Sequence, residues 1–237
     1  MTALTIVQQA TGQLGLPQPA TVFGNTNPQV VQLASLLNQE GRELAECHQW
    51  QALTRDHTFT STATQLQAGA IPSDFSRFVN DSMWDRTTAR PCKGPITEQQ
   101  WQMYQAFPIY TNVNPAFLLR GNDLYFQPAA NSGDTIAFSY VTTNWCESSS
   151  GTPQSVFAAD SDVSLISEDL MTLGLIWRWL KAKGFDYSEE FRTYSEQKAE
   201  TTGRDGGAPR LNMVYGLNRF SPFAANILQG NWPGNTP

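Results

Sequence analysis

Charged residues are scarce in this chain: Asp, Glu, Lys and Arg make up 15% of its 237 residues. An average soluble protein has about 25%. Neutral polar side chains must therefore supply much of the surface. Such a surface suits a protein that is largely covered by its partner proteins. Positively charged residues are fewer than negatively charged ones, with 15 Lys and Arg against 21 Asp and Glu, and they form no basic run. Tight nucleic-acid binders cluster cations to neutralise phosphates, so the composition argues against that class.

Cysteine is also rare. Cys47, Cys92 and Cys146 are odd in number and far apart, with no pair separated by two residues. This pattern argues against a disulfide framework and predicts assembly in a reducing compartment. Residues 1–16 have no basic region followed by an apolar core, so we predict no signal peptide. The longest apolar stretch, residues 170–180, is too short to span a bilayer, so we expect no membrane partner.

Catalytic motifs are absent: the chain has no nucleophile elbow, phosphate-binding loop or zinc-protease motif. Only two histidines occur, His48 and His57. Because His48 follows Cys47, a metal or Cys–His site is conceivable, yet adjacent helical residues point about 100° apart. We therefore expect a helix-end or core histidine, and we predict no catalytic, cofactor-binding or metal site.

Two pairs of carboxylates have the residue types of a glycosidase, namely Glu40 with Glu43 and Glu189 with Glu190. We expect both pairs to lie on solvated helix faces instead. Five tryptophans offer surfaces that could stack on bases or sugars, but no basic run accompanies them, which favours core or interface packing. They are Trp84, Trp101, Trp145, Trp177 and Trp179.

Two helices are predicted in the first fifty residues. The first spans residues 2–14 with Thr2 as its N-cap, and the second begins at Asn27 with Pro28 in its first turn. The second helix carries one continuous stripe, which consists of Val30, Leu33, Leu37, Gly41, Leu44 and His48. The glycine in this stripe predicts the close approach of another backbone.

The pattern changes to period two between Trp50 and Phe157. Strands are predicted over residues 57–63, 75–83, 116–120, 124–127 and 134–141. The third and fourth flank Gly121-Asn122-Asp123, which predicts a hairpin. A short helix over residues 98–105 should turn Trp101 inward. We interpret the region as a small antiparallel β module inserted between helices.

Two helices return near the end of the chain. The first is predicted from the Ser167 cap to Gly184, and the second from Asp186 to about Thr202, forming a helical hairpin. Apolar residues of the first extend well beyond one face, which predicts more than one neighbour and favours lateral contacts between subunits. The candidate packing and subunit-contact residues are Leu33, Leu37, Leu44, Leu173, Trp177, Trp179, Phe191 and Tyr194.

The last thirty residues are unusual because they are apolar yet rich in Gly and Pro. They carry only two charges, Arg210 and Arg219, whereas disordered tails are typically charged and poor in aromatics. Ordering such a segment costs more conformational entropy than its own side chains return. We therefore predict a docking arm that needs a partner. Its candidate contact residues are Leu211, Met213, Tyr215, Phe220, Phe223, Ile227, Leu228 and Trp232.

Together these patterns predict an α+β fold. Residues 1–50 and 165–206 should form a helical bundle or hairpin domain, residues 51–164 the inserted β module, and residues 207–237 the extended C-terminal arm.

As an ordered set, several segments of residues 1–207 resemble the head-to-tail adaptor family of podoviruses, the short-tailed bacteriophages. They are Ile71-Pro72-Ser73-Asp74-Phe75, Gly121-Asn122-Asp123-Leu124-Tyr125-Phe126-Gln127-Pro128, Ser132-Gly133-Asp134-Thr135, Trp177-Arg178-Trp179-Leu180-Lys181-Ala182-Lys183-Gly184 and Arg204-Asp205-Gly206-Gly207.

The resemblance implies a non-enzymatic ring, commonly of twelve copies, at the head–tail interface of the virion. It implies a portal ring above, a tail nozzle with fibres or tailspikes below, and genomic DNA passing through the lumen. The family's habit is to dock a C-terminal extension into the portal. Assembly would occur in the host cytoplasm. An acidic chain is compatible with DNA that must slide past without sticking.

Two alternatives remain open at the level of sequence. One is a virion-carried enzyme that degrades peptidoglycan with a glutamate pair. The other is a stopper or tail-completion protein with a similar arrangement of helices and strands.

Overall fold

Five α-helices and several small antiparallel sheets form the described part of this computed structural model, residues 2–106 and 115–206. The helices are α1 (Ala3–Gln13), α2 (Pro28–Cys47), α3 (Glu98–Ala106), α4 (Glu168–Lys183) and α5 (Ser188–Arg204). The strands are β1 (Thr54–Thr60), β2 (Leu66–Gln67), β3 (Phe75–Phe78), β4 (Trp84–Asp85), β5 (Arg90–Pro91), β6 (Ala116–Arg120), β7 (Asp123–Gln127), β8 (Thr135–Thr142), β9 (Cys146–Glu147), β10 (Pro153–Gln154) and β11 (Val163–Ser164). The predicted mixture of helices and antiparallel strands is confirmed.

Local sequence signals set most helix ends. The side chains of Thr2 and Asn27 each accept a hydrogen bond from a first-turn backbone N–H, which caps α1 and α2 as predicted. Gly184 ends α4 in the left-handed conformation, at φ +76°. Ser167 occupies the N-cap position of α4, but its side chain makes no capping hydrogen bond, so that part of the prediction was wrong.

The largest sheet is organised around β8. Strand β1 pairs with β8 along its whole length, from Thr54 opposite Val141 to Thr60 opposite Thr135, while β3 and β4 share the other side of β8. The pairing starts β1 three residues before the predicted segment 57–63. Strand β3 ends well before residue 83, since the backbone turns away through a positive φ at Asp81.

The predicted hairpin is confirmed as β6 and β7, with Arg120 opposite Asp123 across the turn and Gly121 at φ +63°. The short helix α3 is likewise confirmed, and it buries Trp101 and Tyr104.

Helix α4 lies in the core of its own subunit. It contacts α1, α2 and α5, and nine of its residues are buried. The prediction that α4 has more than one neighbour is therefore confirmed within one chain, and lateral contacts between subunits stay a prediction. The same core includes Val141, Trp145 and Ile166, which lie on or beside strands. A second cluster of buried aromatics, including Phe126 and Phe138, lies among the strands.

The predicted docking arm, residues 207–237, lies outside the described residues, and all eight of its candidate contact residues lie outside with it. Among the residues that are described, no helix is both long and apolar enough to cross a membrane.

Candidate functional site: the surface shared by α2, α4 and α5

A cleft of about 540 Å³ lies among helices α2, α4 and α5. Its lining includes Cys47, His48, Trp177, Phe191, Tyr194 and Thr202. It brings together three of the eight residues predicted for packing or subunit contacts. The charged residues Glu43 and Arg178 also line it.

The eight predicted contact residues fall into two groups. Six of them are buried within the subunit, namely Leu33, Leu37, Leu44, Trp177, Trp179 and Tyr194. Leu173 is partly buried, and Phe191 is 44% exposed. The first group packs the helices of one subunit together, and a role in subunit contacts stays a prediction for all eight residues.

A buried ion network joins α2 to α4. The Nε atom of Arg178 lies 2.5 Å from Oε2 of Glu40, and its Nη2 atom lies 2.5 Å from Oε2 of Glu43. The hydroxyl of Tyr194 on α5 donates to Oε1 of Glu40 at 2.6 Å. Glu40 is completely buried, whereas the side chain of Glu43 is 52% exposed. The predicted solvated face was therefore wrong for Glu40. Burying a charge is costly unless it is paired, and here Arg178 provides the pair.

A signal for this network was present in the sequence. Arg178 interrupts the longest apolar stretch of the chain, and a guanidinium inside an apolar helix requires an acidic partner. The pattern could not identify the partner, because Glu40 lies 138 positions away.

Two glycines make room for close contacts on two different faces of α2. A Cβ atom on Gly174 of α4 would lie 2.3 Å from Cδ of Glu40, so the glycine admits the carboxylate. A Cβ atom on Gly41 of α2 would lie 2.3 Å from Cη2 of Trp145. The predicted close neighbour of Gly41 exists, but it is a tryptophan ring and not a backbone.

The pKa shifts in the network keep Tyr194 and Arg178 protonated and favour the charged form of Glu43. Desolvation, followed by the charge of Glu40, raises the pKa of Tyr194 far above its usual range, so its hydroxyl remains a donor. The hydrogen bond from Arg178 is the largest influence on Glu43 and lowers its pKa. Burial alone would lower the pKa of Arg178, but its hydrogen bonds to both glutamates outweigh burial and raise it. The arrangement is suited to structural stabilisation.

An aromatic surface borders the network. The ring of Trp177 lies 5.2 Å from that of Phe191 between centroids, and Cζ of Arg178 lies 4.6 Å from the Trp177 centroid. Phe185, in the turn between α4 and α5, is 63% exposed. Aromatic residues and arginine are the residue types enriched in protein interfaces.

The comparison with known families decides the class of this protein. The family model described as SU10 adaptor protein matches residues 1–211. The chain belongs to the SU10 adaptor protein family. The resemblance to phage head-to-tail adaptors is thereby confirmed, as is the coarse function of a structural phage adaptor. No curated protein matches the chain.

The match covers every helix and strand described for this SU10 adaptor and ends at Leu211, the first candidate residue of the predicted arm. The family is structural and is not a family of enzymes.

The other candidate residues of this adaptor make contacts that indicate structural roles. His48 ends α2, its Nε2 atom lies 3.3 Å from Oδ2 of Asp205, and its ring packs edge-on against Trp50, which confirms a helix-end histidine. Glu189 is exposed and pairs with Arg192, as expected for a solvated face. Four of the five tryptophans are buried, in agreement with core packing. Within residues 2–106 and 115–206, no group of three or more His, Cys, Asp or Glu side chains could hold a metal ion.

Proposed function

We propose that this SU10 adaptor is the head-to-tail adaptor ring of a short-tailed phage virion. Twelve copies would assemble on the portal ring after DNA packaging and carry the tail nozzle with its fibres or tailspikes. Genomic DNA would pass through the lumen as cargo. The protein would be made and assembled in the host cytoplasm.

The family match across residues 1–211 carries this proposal. Two properties of the sequence support it. The net charge of −6 and the absence of a basic run suit a channel through which DNA slides without binding. The segment after Gly207 contains many large apolar residues and two charges, which suits an arm that docks on another protein.

We further propose that the three predicted parts of the chain have different roles in the virion. Residues 1–50 with 165–206 would form the helical part around the channel. Residues 51–164 would form the β-rich module that faces the tail, and residues 207–237 would form the arm that docks on the portal.

Deleting residues 208–237 is expected to leave a folded subunit that no longer binds portal rings. The truncated chain keeps the whole core of α1, α2 and α4, so its circular dichroism and unfolding temperature should match those of the full chain. Binding is measured by cosedimentation with purified portal. Unchanged affinity of the truncated chain for portal would show that the arm assignment is wrong.

A substitution variant tests whether portal binding depends on the apolar side chains of the arm and not only on its length. The triple variant Phe220→Ser, Phe223→Ser and Trp232→Ser keeps every residue of the backbone but removes three large contacts. It should lose portal binding as the deletion does, because buried aromatic side chains dominate interface energies.

Free subunits are expected to be monomeric and to form rings only on the portal. The reason is that the predicted arm needs the portal as its partner, so the ring gains its stability there. Light scattering of the isolated protein measures this directly. A stable twelvefold ring in the absence of portal would contradict the prediction.

A further inference from the structure

Strand β1 forms an open edge of the largest sheet. It pairs with β8 on one side over all seven of its residues, and no described strand pairs with its other side. Its register with β8 contains no bulge, and its sequence contains neither proline nor glycine. Natural proteins usually shorten, bend or cover such edges, because an open edge can pair with another chain.

The other sheet edges in the described part of the chain are short, irregular or covered. Strands β2, β5, β10 and β11 have two residues each, and the register of β3 shifts between Phe75 and Arg77. The outer side of β6 is covered, because the Phe117 N–H donates to the Lys93 carbonyl and the Ile96 N–H donates to the Phe117 carbonyl. Strand β1 is therefore the exception.

The hydrogen bonds of β8 show which backbone groups of β1 point outward. The Ser139 carbonyl accepts a hydrogen bond from the Val79 N–H, on the side of β8 away from β1. The Thr135 carbonyl accepts one from the Arg86 N–H on that same side. Hydrogen bonding alternates along an antiparallel strand. The residues of β1 opposite these two positions, and the residue midway between them, therefore turn their backbone groups away from β8.

These outward-facing residues are Asp56, Thr58 and Thr60. All three are exposed, and no described residue outside the sheet bonds to their backbone N–H or carbonyl groups. The edge therefore presents three N–H donors and three carbonyl acceptors to solvent. Groups in this arrangement bind an extended peptide by adding it to the sheet as a further strand.

One face of β1 ends in two aromatic rings that the sheet covers only in part. His57 and Phe59 are partly buried, and their rings lie 5.4 Å and 6.3 Å from the ring of Phe138 between centroids. An added strand would cover both rings. Its residues opposite them should therefore be aromatic or β-branched, because such cross-strand pairs stabilise a sheet.

The other face of β1 carries a carboxylate without an ionic partner. Oδ1 of Asp56 accepts a hydrogen bond from the Ser139 hydroxyl at 2.6 Å, but no described residue forms an ion pair with it. A Lys or Arg directly opposite Asp56 on an added strand would supply the missing charge. A second copy of β1 offers no cation there, because its outward-facing residues are threonines and Asp56 itself.

We propose that the outer edge of β1 binds an extended segment of the tail nozzle protein, which joins the sheet as a further strand. The segment has apolar residues opposite His57 and Phe59 and a Lys or Arg opposite Asp56. The inference rests on the proposed function, in which the β-rich module faces the tail. Main-chain hydrogen bonds provide the affinity of such a contact, and the alternating side chains provide its selectivity.

Thr58→Pro tests the edge in the full-length protein. Proline removes the outward N–H of residue 58 but no hydrogen bond to β8, so the sheet is retained. Thr58→Pro subunits should bind purified portal normally, and on those complexes they should capture at least about tenfold less purified nozzle protein. The matched control is Thr58→Val, which keeps the N–H and the β-branched shape and should capture it normally. Cosedimentation measures both steps, and the unfolding temperature confirms that each variant is folded.

Asp56→Lys tests the same edge without proline, so the outcome does not depend on how Thr58→Pro folds. The reversed charge would face the cation of the added strand, and capture of nozzle protein should fall by about fivefold. Asp56→Asn removes the charge without reversing it and should reduce capture by only about twofold.

Hydrogen exchange resolved to single residues distinguishes strand addition from other contacts. The three outward-facing amides should exchange at least about tenfold more slowly in the complex with nozzle protein than in the free subunit. The inward-facing amides of Arg55, His57 and Phe59 bond to β8 and should be protected in both states. Unchanged exchange of the outward-facing amides in the complex would show that no strand is added.

The outcomes separate this inference from the proposed function. Folded Thr58→Pro and Asp56→Lys subunits that capture nozzle protein as well as the wild type would overturn the inference alone. So would a dimer of the isolated wild-type protein that Thr58→Pro abolishes, because the edge would then bind a second copy. Wild-type subunits that bind neither portal nor nozzle protein would refute the proposed function, and the inference would fail with it.

Discussion

Replacing Glu40 by methionine is expected to lower the free energy of unfolding by about 3–5 kcal/mol. Methionine has a similar length, so little cavity is created. The loss arises because Arg178 is left almost fully buried with only the half-exposed Glu43, and the Tyr194 hydroxyl loses its acceptor. Chemical denaturation of the full chain, followed by tryptophan fluorescence, measures the change.

The neighbouring glutamate is the matched control. Glu43→Gln removes a charge that binds the same Arg178 but from an exposed side chain, so it should lower stability by less than about 1 kcal/mol. The double variant Glu40→Met with Arg178→Met should recover most of the loss, since it leaves no unpaired buried charge. A Glu40→Met protein as stable as the wild type, or a double variant worse than both single variants, would contradict the network.

Replacing Gly41 by alanine is expected to lower the free energy of unfolding by about 1–3 kcal/mol, although alanine is the better helix former. The new Cβ would lie 2.3 Å from the buried ring of Trp145, which cannot move because it packs on Phe157 at 4.7 Å between centroids. The same denaturation measurement applies.

Gly203 of α5 supplies the matched control for helix propensity. No atom lies within 4 Å of the position where its Cβ would be, so Gly203→Ala should raise stability by at most about 1 kcal/mol. Combining Gly41→Ala with Trp145→Leu should relieve the clash, so the two substitutions together should cost less than the sum of their separate effects. Additive losses would show that the contact is not the cause.

Two adjacent residues of α2 pack closely against different neighbours. Residues 40 and 41 are adjacent in the chain, yet one faces α4 through Gly174 and the other faces the ring of Trp145. Helix α2 thus has two faces on which close contacts leave no room for an extra atom.

Local features of the fold were predictable from sequence because the residues that cause them are neighbours. The caps at Thr2 and Asn27, the end of α4 at Gly184 and the hairpin about Gly121 depend on contacts within a few residues. The starts and ends of β1 and β3 were predicted less well. They depend on pairing with β8, more than sixty positions further along the chain.

By itself, the sequence determined the capped helices, the β hairpin, the small number of charges and the family to which the chain belongs. The tertiary structure alone decided that Glu40 is buried and that α4 is covered by its own chain. It also decided that Gly41 accommodates a tryptophan. The physical reason is that a periodic pattern records which face of an element is apolar, whereas the partner of a buried charge or of a missing side chain is brought into contact only when distant segments pack.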